Sequence, residues 1–284
     1  MTDEFTTHLA ALARERHPDT SPVALQETAI YLSQQFIRLG LEVSAHRFEA
    51  WEQTYENVIG TKPAVNNSSA APLILAAHYD TVEGSPGADD NASSLAVLIE
   101  VARRLQRTPL ARPVQFVAFC LEEEDLLGSR AYVAHLAKTG QPLHGAIVLE
   151  CVGYASEQEG SQRTPPGIPV AVPSVGNFLA LIGNQASAQL TTTLTQAMTP
   201  MIPVVPLIVP GNGEQLPDTR RSDHTAFWEQ GFAAVMVTDT ANFRNPHYHR
   251  STDTIDTLNL KFLTSVADAV TNAVLALAAM PERP

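Results

Sequence analysis

Five clusters of acids and histidines punctuate this chain: His78-Tyr79-Asp80, Asp89-Asp90-Asn91, Glu122-Glu123-Glu124-Asp125, Glu150, and His247-Tyr248-His249 followed by Asp253. Each also has an ordinary explanation. Asp89-Asp90-Asn91 lies in a small-residue loop before a helical pattern, where one Asp or Asn serves as an N-cap. That still leaves a second carboxylate unassigned. The acids at 122–125 would be a solvated charge run, except that they directly follow an apolar segment. Glu150 closes the run Ala146-Ile147-Val148-Leu149, and a carboxylate there is costly unless paired, ligating or at a solvent edge. His247 reads as a surface histidine and His249 as a candidate ligand, with Asp253 placed to fix its loop. Mixed imidazole and carboxylate ligation suits zinc and similar divalent cations. Two histidines with at least three carboxylates, one able to bridge, suit two cations about 3.5–4 Å apart, the spacing of two-metal hydrolases.

Residues so far apart in sequence need a scaffold that converges. Short apolar runs at 72–77, 114–121, 146–149 and 232–238 alternate with helical patterns at 92–106, 129–138 and 258–280. This rhythm predicts βαβ units and an α/β fold: three αβα layers around a mixed, mostly parallel sheet. Every cluster follows such a run, which places all of them at the carboxyl edge of one sheet, where open α/β sheets bind ligands. Alternate strand residues share a face, so Asp80 is placed to hold the His78 imidazole. Upstream, Ser21 and Pro22 open a helix that stops at Gly40. Residues 41–48 alternate as a strand, 57–60 form another short one, and 66–70 make a polar turn. The stretch 155–218 is rich in proline, among them Pro165, Pro166, Pro203 and Pro210. It reads as an insertion over the active-site edge of a single domain spanning 1–284, with a helix near 186–197 between long loops.

The 284 residues can bury a sizeable core. A formal charge of −12 disfavours nucleic acid and anionic membranes as partners. Cys120 and Cys151 cannot form a disulfide framework and read as buried free thiols. The amino-terminal segment lacks a signal-peptide pattern, and no run of eighteen apolar residues occurs. The expectation is a cytoplasmic protein without a transmembrane helix, its oligomeric state open.

Taken in order, the motifs resemble the co-catalytic zinc aminopeptidases of metallopeptidase family twenty-eight. They are His78-Tyr79-Asp80, Gly87-Ala88-Asp89-Asp90-Asn91, Glu122-Glu123-Glu124-Asp125-Leu126-Leu127-Gly128-Ser129, Glu150-Cys151-Val152-Gly153, Ser222-Asp223-His224 and Tyr248-His249-Arg250-Ser251-Thr252-Asp253-Thr254. The resemblance covers about 73–254 and, more loosely, both ends. It implies a zinc-peptidase-like fold and an exopeptidase that hydrolyses the N-terminal residue from small peptide or aminoacyl substrates. It implies two divalent ions, zinc first, with cobalt or manganese as alternatives. Asp90 would bridge them, His78 and Glu150 would complete one, and Glu123 and His249 the other. Glu122 would be the general base, Asp80 would orient His78, and Tyr248 would polarise the scissile carbonyl. Ser222-Asp223-His224 would be structural, with His224 not a ligand.

Two positions depart from the family pattern: Glu150 stands where Asp is commoner, and Asp125 where Gly is common. Among relatives on this fold, glutaminyl cyclases depart from the Asp-Asn and Glu-Glu pairs kept here. Carboxypeptidases would need cations such as Arg220 and Arg221. Non-catalytic binding relatives have lost ligands that are all present here.

Overall fold

The computed structural model describes residues 2–65 and 68–279. Asn66 and Asn67 of the expected turn, and Met280 of the expected last helix, lie outside the described residues. The strands are β1 (Glu42–Ala50), β2 (Gln53–Lys62), β3 (Leu73–His78), β4 (Val114–Phe119), β5 (Gly145–Glu150), β6 (Leu179–Asn184), β7 (Val204–Val209) and β8 (Ala234–Thr238). The helices are α1 (Thr2–Leu12), α2 (Pro22–Arg38), α3 (Ser94–Leu105), α4 (Leu127–Thr139), α5 (Ala188–Met198), α6 (His224–Glu229) and α7 (Leu260–Ala278).

All eight strands form one sheet in the order β1-β2-β4-β3-β5-β8-β6-β7. Its centre, β4-β3-β5-β8, is parallel, so these four strands deliver their carboxyl ends to one edge. The flanks are mixed: β1, β2 and β4 pair antiparallel, β6 runs against β8, and β7 runs with β6. Alternate residues of the central strands feed two cores. Leu73, Leu75, Phe116, Ile147 and Val235 pack with α1, α2, α3, α5 and α7. Ile74, Val117, Phe119, Val148 and Met236 pack with α4 and α6. The central strands are buried on both faces, which is why they read as continuous apolar runs and not as alternating ones. Each fully buried Leu or Ile contributes about 1.5–3 kcal/mol.

The three-layer reading holds. The sequence reading of 155–218 as loops around a helix is incomplete, because the stretch also supplies β6 and β7 to the main sheet. Pro206 sits within β7 and hid that strand. It is tolerated because β7 is an edge strand bonded only to β6. α1 and α6 were also unforeseen. α7 is long and apolar enough by composition to cross a membrane; its Phe262, Leu263, Val266 and Val270 pack in the core.

Candidate metal centre

Three of the clusters sit at or just beyond the end of a central strand, and the other two lie on the longer loops after β3 and β8. His78 is the last residue of β3, and Glu150 the last of β5. Glu122 and Glu123 lie three and four residues beyond β4, after Leu121 in a left-handed conformation at φ 59°. Cys151 and His249 are left-handed too. Such backbone persists in ordinary residues only where the surroundings enforce it, and it clusters at functional sites.

Asp90 is central. Its Oδ1 is 3.1 Å from His78 Nε2, and its Oδ2 is 3.0 Å from His249 Nε2. His78 Nε2 also lies 3.5 Å from Glu150 Oε2 and 3.8 Å from Glu122 Oε2. His249 Nε2 is 3.3 Å from Glu123 Oε2. Donor atoms of His78, Asp90 and Glu123 lie within 4.8 Å of one another, as do those of His78, Glu122 and Glu150. A third such group joins Asp90, Glu150 and the thiol of Cys151. Both ring nitrogens of His78, both oxygens of Asp90 and Oε1 of Glu123 are buried without a hydrogen-bond partner among the described residues. Lone-pair atoms that face one another at 3–4 Å in this way could hold a metal ion between them. The donor set fits divalent metal.

The electrostatics agree. Burial disfavours the His78 imidazolium, but Glu122 and Glu150 and the side chains of Asp80 and Asp90 outweigh it and hold its pKa well above the ordinary value. Burial and Asp90 push Glu123 up to about 7. Burial, then the charges of Glu150, Glu123 and Asp223, raise Glu122 well above the carboxylate range despite the opposing pull of His78. Burial would raise Asp90 too, yet His249 and His78 hold it low. The carboxylates outnumber the imidazoles, so the cluster lacks positive charge.

The supporting contacts extend one sequence expectation. Asp80 was expected to hold His78, and its Oδ1 lies 3.5 Å from Nδ1. Its two oxygens also accept hydrogen bonds from the backbone amides of Glu122 at 3.1 Å and Glu123 at 3.0 Å. Asp253 accepts from the amides of both Asp89 and Asp90, so it fixes the Asp89-Asp90 loop as well as its own. Asp89 points away from the cluster and receives Gly153 N and Asn245 Nδ2. Asn91 donates to Leu149 O and accepts from Cys151 N, which pins the loop to the end of β5. Ser222 Oγ donates to Glu150 at 2.8 Å. Two glycines of the motifs are sterically required. Gly87 is left-handed at φ 58°, and a Cβ there would meet Asp90 O at 2.2 Å. A Cβ on Gly128 would lie 2.0 Å from Cys120 O.

Sequence reasoning missed Arg16 altogether. This fully buried guanidinium donates to Tyr79 O, Pro86 O and Gly87 O, so it backs both the β3 end and the Asp90 loop. No motif marks it, and only its position after an amphipathic segment could have raised interest. Asp223 was read as structural. It is completely buried, and burial lifts its pKa to about 7 against the lowering pull of His78 and Ser129. His224 bonds Thr219 O and abuts Trp228 edge-on, remote in role from the cluster, while His247 meets Thr252 at the surface. Tyr248 stacks on His249 with centroids 3.8 Å apart, and its hydroxyl accepts from Arg221 Nη2 at 3.1 Å. Burial, with Asp90 next, raises the phenol pKa, so it remains a donor.

A family model described as Peptidase family M28 matches residues 57–274. The chain belongs to peptidase family M28. The uncharacterized protein YfbL of Escherichia coli is 32% identical over 87% of this M28 chain and 78% of its own length. Aminopeptidase YwaD of Bacillus subtilis is 30% identical over 78% of the chain, which spans only 44% of that protein. A solved structure of BSAP, described as a zinc aminopeptidase from Bacillus subtilis, superimposes with a TM-score of 0.76 at 17% identity. It covers 100% of this M28 chain and 96% of the other, a likeness of fold.

Proposed function

We propose that this M28 peptidase is an aminopeptidase that uses two divalent cations, zinc first, to remove the N-terminal residue from small peptides. The observation that carries the reading is Asp90, whose two oxygens each face a different imidazole, each imidazole having its own further carboxylate. His78, Asp90 and Glu150 would hold one cation, and Asp90, Glu123 and His249 the other. Bound there, the cations supply Lewis acidity toward a water molecule and the scissile carbonyl.

Glu122 projects into the same space, its Oε2 3.8 Å from His78 Nε2. It takes the proton of the attacking water and returns it to the departing amine. Asp80 fixes the backbone of that residue. The Tyr248 hydroxyl, kept protonated, donates to the developing oxyanion, and Arg221 orients it. The free amine of the substrate is held by the acidic end of the site. The substrate side chain enters an apolar pocket beside Glu150 and Tyr248, walled by Ile168, Phe178, Ile182, Leu207 and Met236. An apolar N-terminal residue fits it.

The test combines metal analysis with leucyl-nitroanilide turnover in wild type and Glu122→Gln. The variant is expected to keep its metal and lose roughly 10²–10⁴-fold in kcat. Near-normal turnover would remove Glu122 from the mechanism, and pyroglutamate formed from a glutaminyl peptide without free amino acid would replace the hydrolase by a cyclase.

A further inference from the structure

A second cavity, polar where the first is apolar, lies behind the same loop. Its volume is about 430 Å³, and Tyr154, Ser156, Ser161, Arg163, Arg244 and Arg250 line it. It thus gathers three arginines, and no carboxylate is among the described residues that line it, in a chain whose net charge is −12.

Arg244 is 5% exposed. Its Nε donates to Gln162 and one terminal nitrogen to Tyr154 O, both neutral acceptors. Its Nη2 is buried with no hydrogen-bond partner. Asp239 and Asp89 supply negative charge near this guanidinium, but neither takes the Nη2 hydrogens, which are left able to bind an anion in the cavity. Arg163 spends one nitrogen on Asn242 O, and exposed Arg250 brings a further guanidinium. The hydroxyl oxygens of Ser156 and Ser161 each accept from a backbone amide, so each O–H remains able to donate.

The two cavities share their walls. Along 240–250, Ala241, Asn242, Phe243 and Tyr248 face the apolar pocket, whereas Arg244, Pro246 and Arg250 face the polar one. Gln162 faces the first, and its neighbours Ser161 and Arg163 the second. Arg250 directly follows His249. The cavity lining therefore begins one residue along the chain from an imidazole of the metal centre.

We propose that the arginine-lined cavity is a carboxylate subsite on the leaving-group side of the centre, which makes short peptides with a free α-carboxylate the favoured substrates. The substrate assignment rests on the aminopeptidase reading; the anion subsite itself does not. Guanidinium groups hold carboxylates through paired, charge-assisted hydrogen bonds.

The experiment has two arms on the metal-loaded protein. In the first, kcat/KM is compared for leucyl-alanine and leucyl-alaninamide in wild type, Arg163→Gln and Arg250→Gln. Wild type is expected to favour the acid at least tenfold, and each variant to shrink that ratio severalfold, mainly through KM. A wild-type ratio near one, or a preference that both variants retain, would overturn the proposal. In the second, calorimetry compares N-acetyl-leucyl-alanine with its amide, a pair that needs no turnover. Binding of the acid alone, weakened in both variants, supports the subsite. Equal binding of the pair, or binding of inorganic phosphate without the acid, overturns it. Absent turnover of either dipeptide would defeat the aminopeptidase reading, while the calorimetric arm still decides the subsite.

Discussion

Replacing Asp80 by Asn changes one oxygen to an amino group and leaves the volume nearly the same. In the native protein both oxygens accept backbone amides, Glu122 N at 3.1 Å and Glu123 N at 3.0 Å, in a fully buried position. The amide side chain retains one acceptor and turns a donor toward the other N–H. One charge-assisted bond is lost, worth about 1.5–3 kcal/mol, and relief of a buried negative charge offsets part of that. If the same energy holds the Glu122 carboxylate in place and that group is the proposed base, kcat/KM falls roughly 10- to 150-fold at 1.36 kcal/mol per tenfold. Urea unfolding, leucyl-nitroanilide kinetics at saturating zinc and elemental analysis are the assays. The expected result is lower stability and turnover with metal content kept. Wild-type stability and rate together would refute the reasoning. Lost metal with intact stability would place the role of Asp80 on His78, 3.5 Å away.

Three further outcomes are expected. Gly128→Ala drives a Cβ to 2.0 Å from a backbone carbonyl that cannot swing aside, so chemical denaturation should show a loss of at least about 1–3 kcal/mol. His224 is fully buried, and burial holds its pKa down to about 4 against an ordinary 6.5. The unfolded chain binds this proton near 6.5 and the native chain does so only near 4. The contribution is therefore fully present above 6.5 and is lost as pH falls through that window, by at most about 1.4 kcal/mol per unit. His224→Gln should remove that slope from the difference between the two pH–stability curves. Chelation should lower the melting temperature, and zinc at about a hundred times its Kd should restore about 2.7 kcal/mol, which scanning calorimetry reads directly.

The chemistry was easier to read in the sequence than its supports. His78, Asp90, Glu150 and His249 are marked by residue type and by their place after apolar runs, because a parallel sheet buried on both faces writes its strands as such runs. Asp80 was noticed for the imidazole alone, since face-sharing along a strand is visible in sequence and its second contact, with backbone amides from another strand's loop, is not. Arg16 carries no motif, because the partners that tie it to the site are backbone carbonyls distant in sequence, at 79, 86 and 87. β7 was lost to Pro206, a residue whose meaning depends on whether a strand lies at the edge or the centre. Glu122 and Asp223 illustrate a further limit: that burial turns an acid into a weak one follows only from three-dimensional enclosure.

The tie between Asp253 and the amides of Asp89 and Asp90 joins positions 164 and 163 residues apart, and the exposed stretch 157–160 lies between them. One imidazole comes from each side of that stretch. A chain severed there would yield two inert halves, His78 with Asp90 in one and His249 with its anchoring carboxylate in the other. Parallel pairing of β5 with β8 offers them a seam for reassembly. Zinc uptake would then report that the halves had found each other, which turns the distance along the chain into a built-in complementation switch.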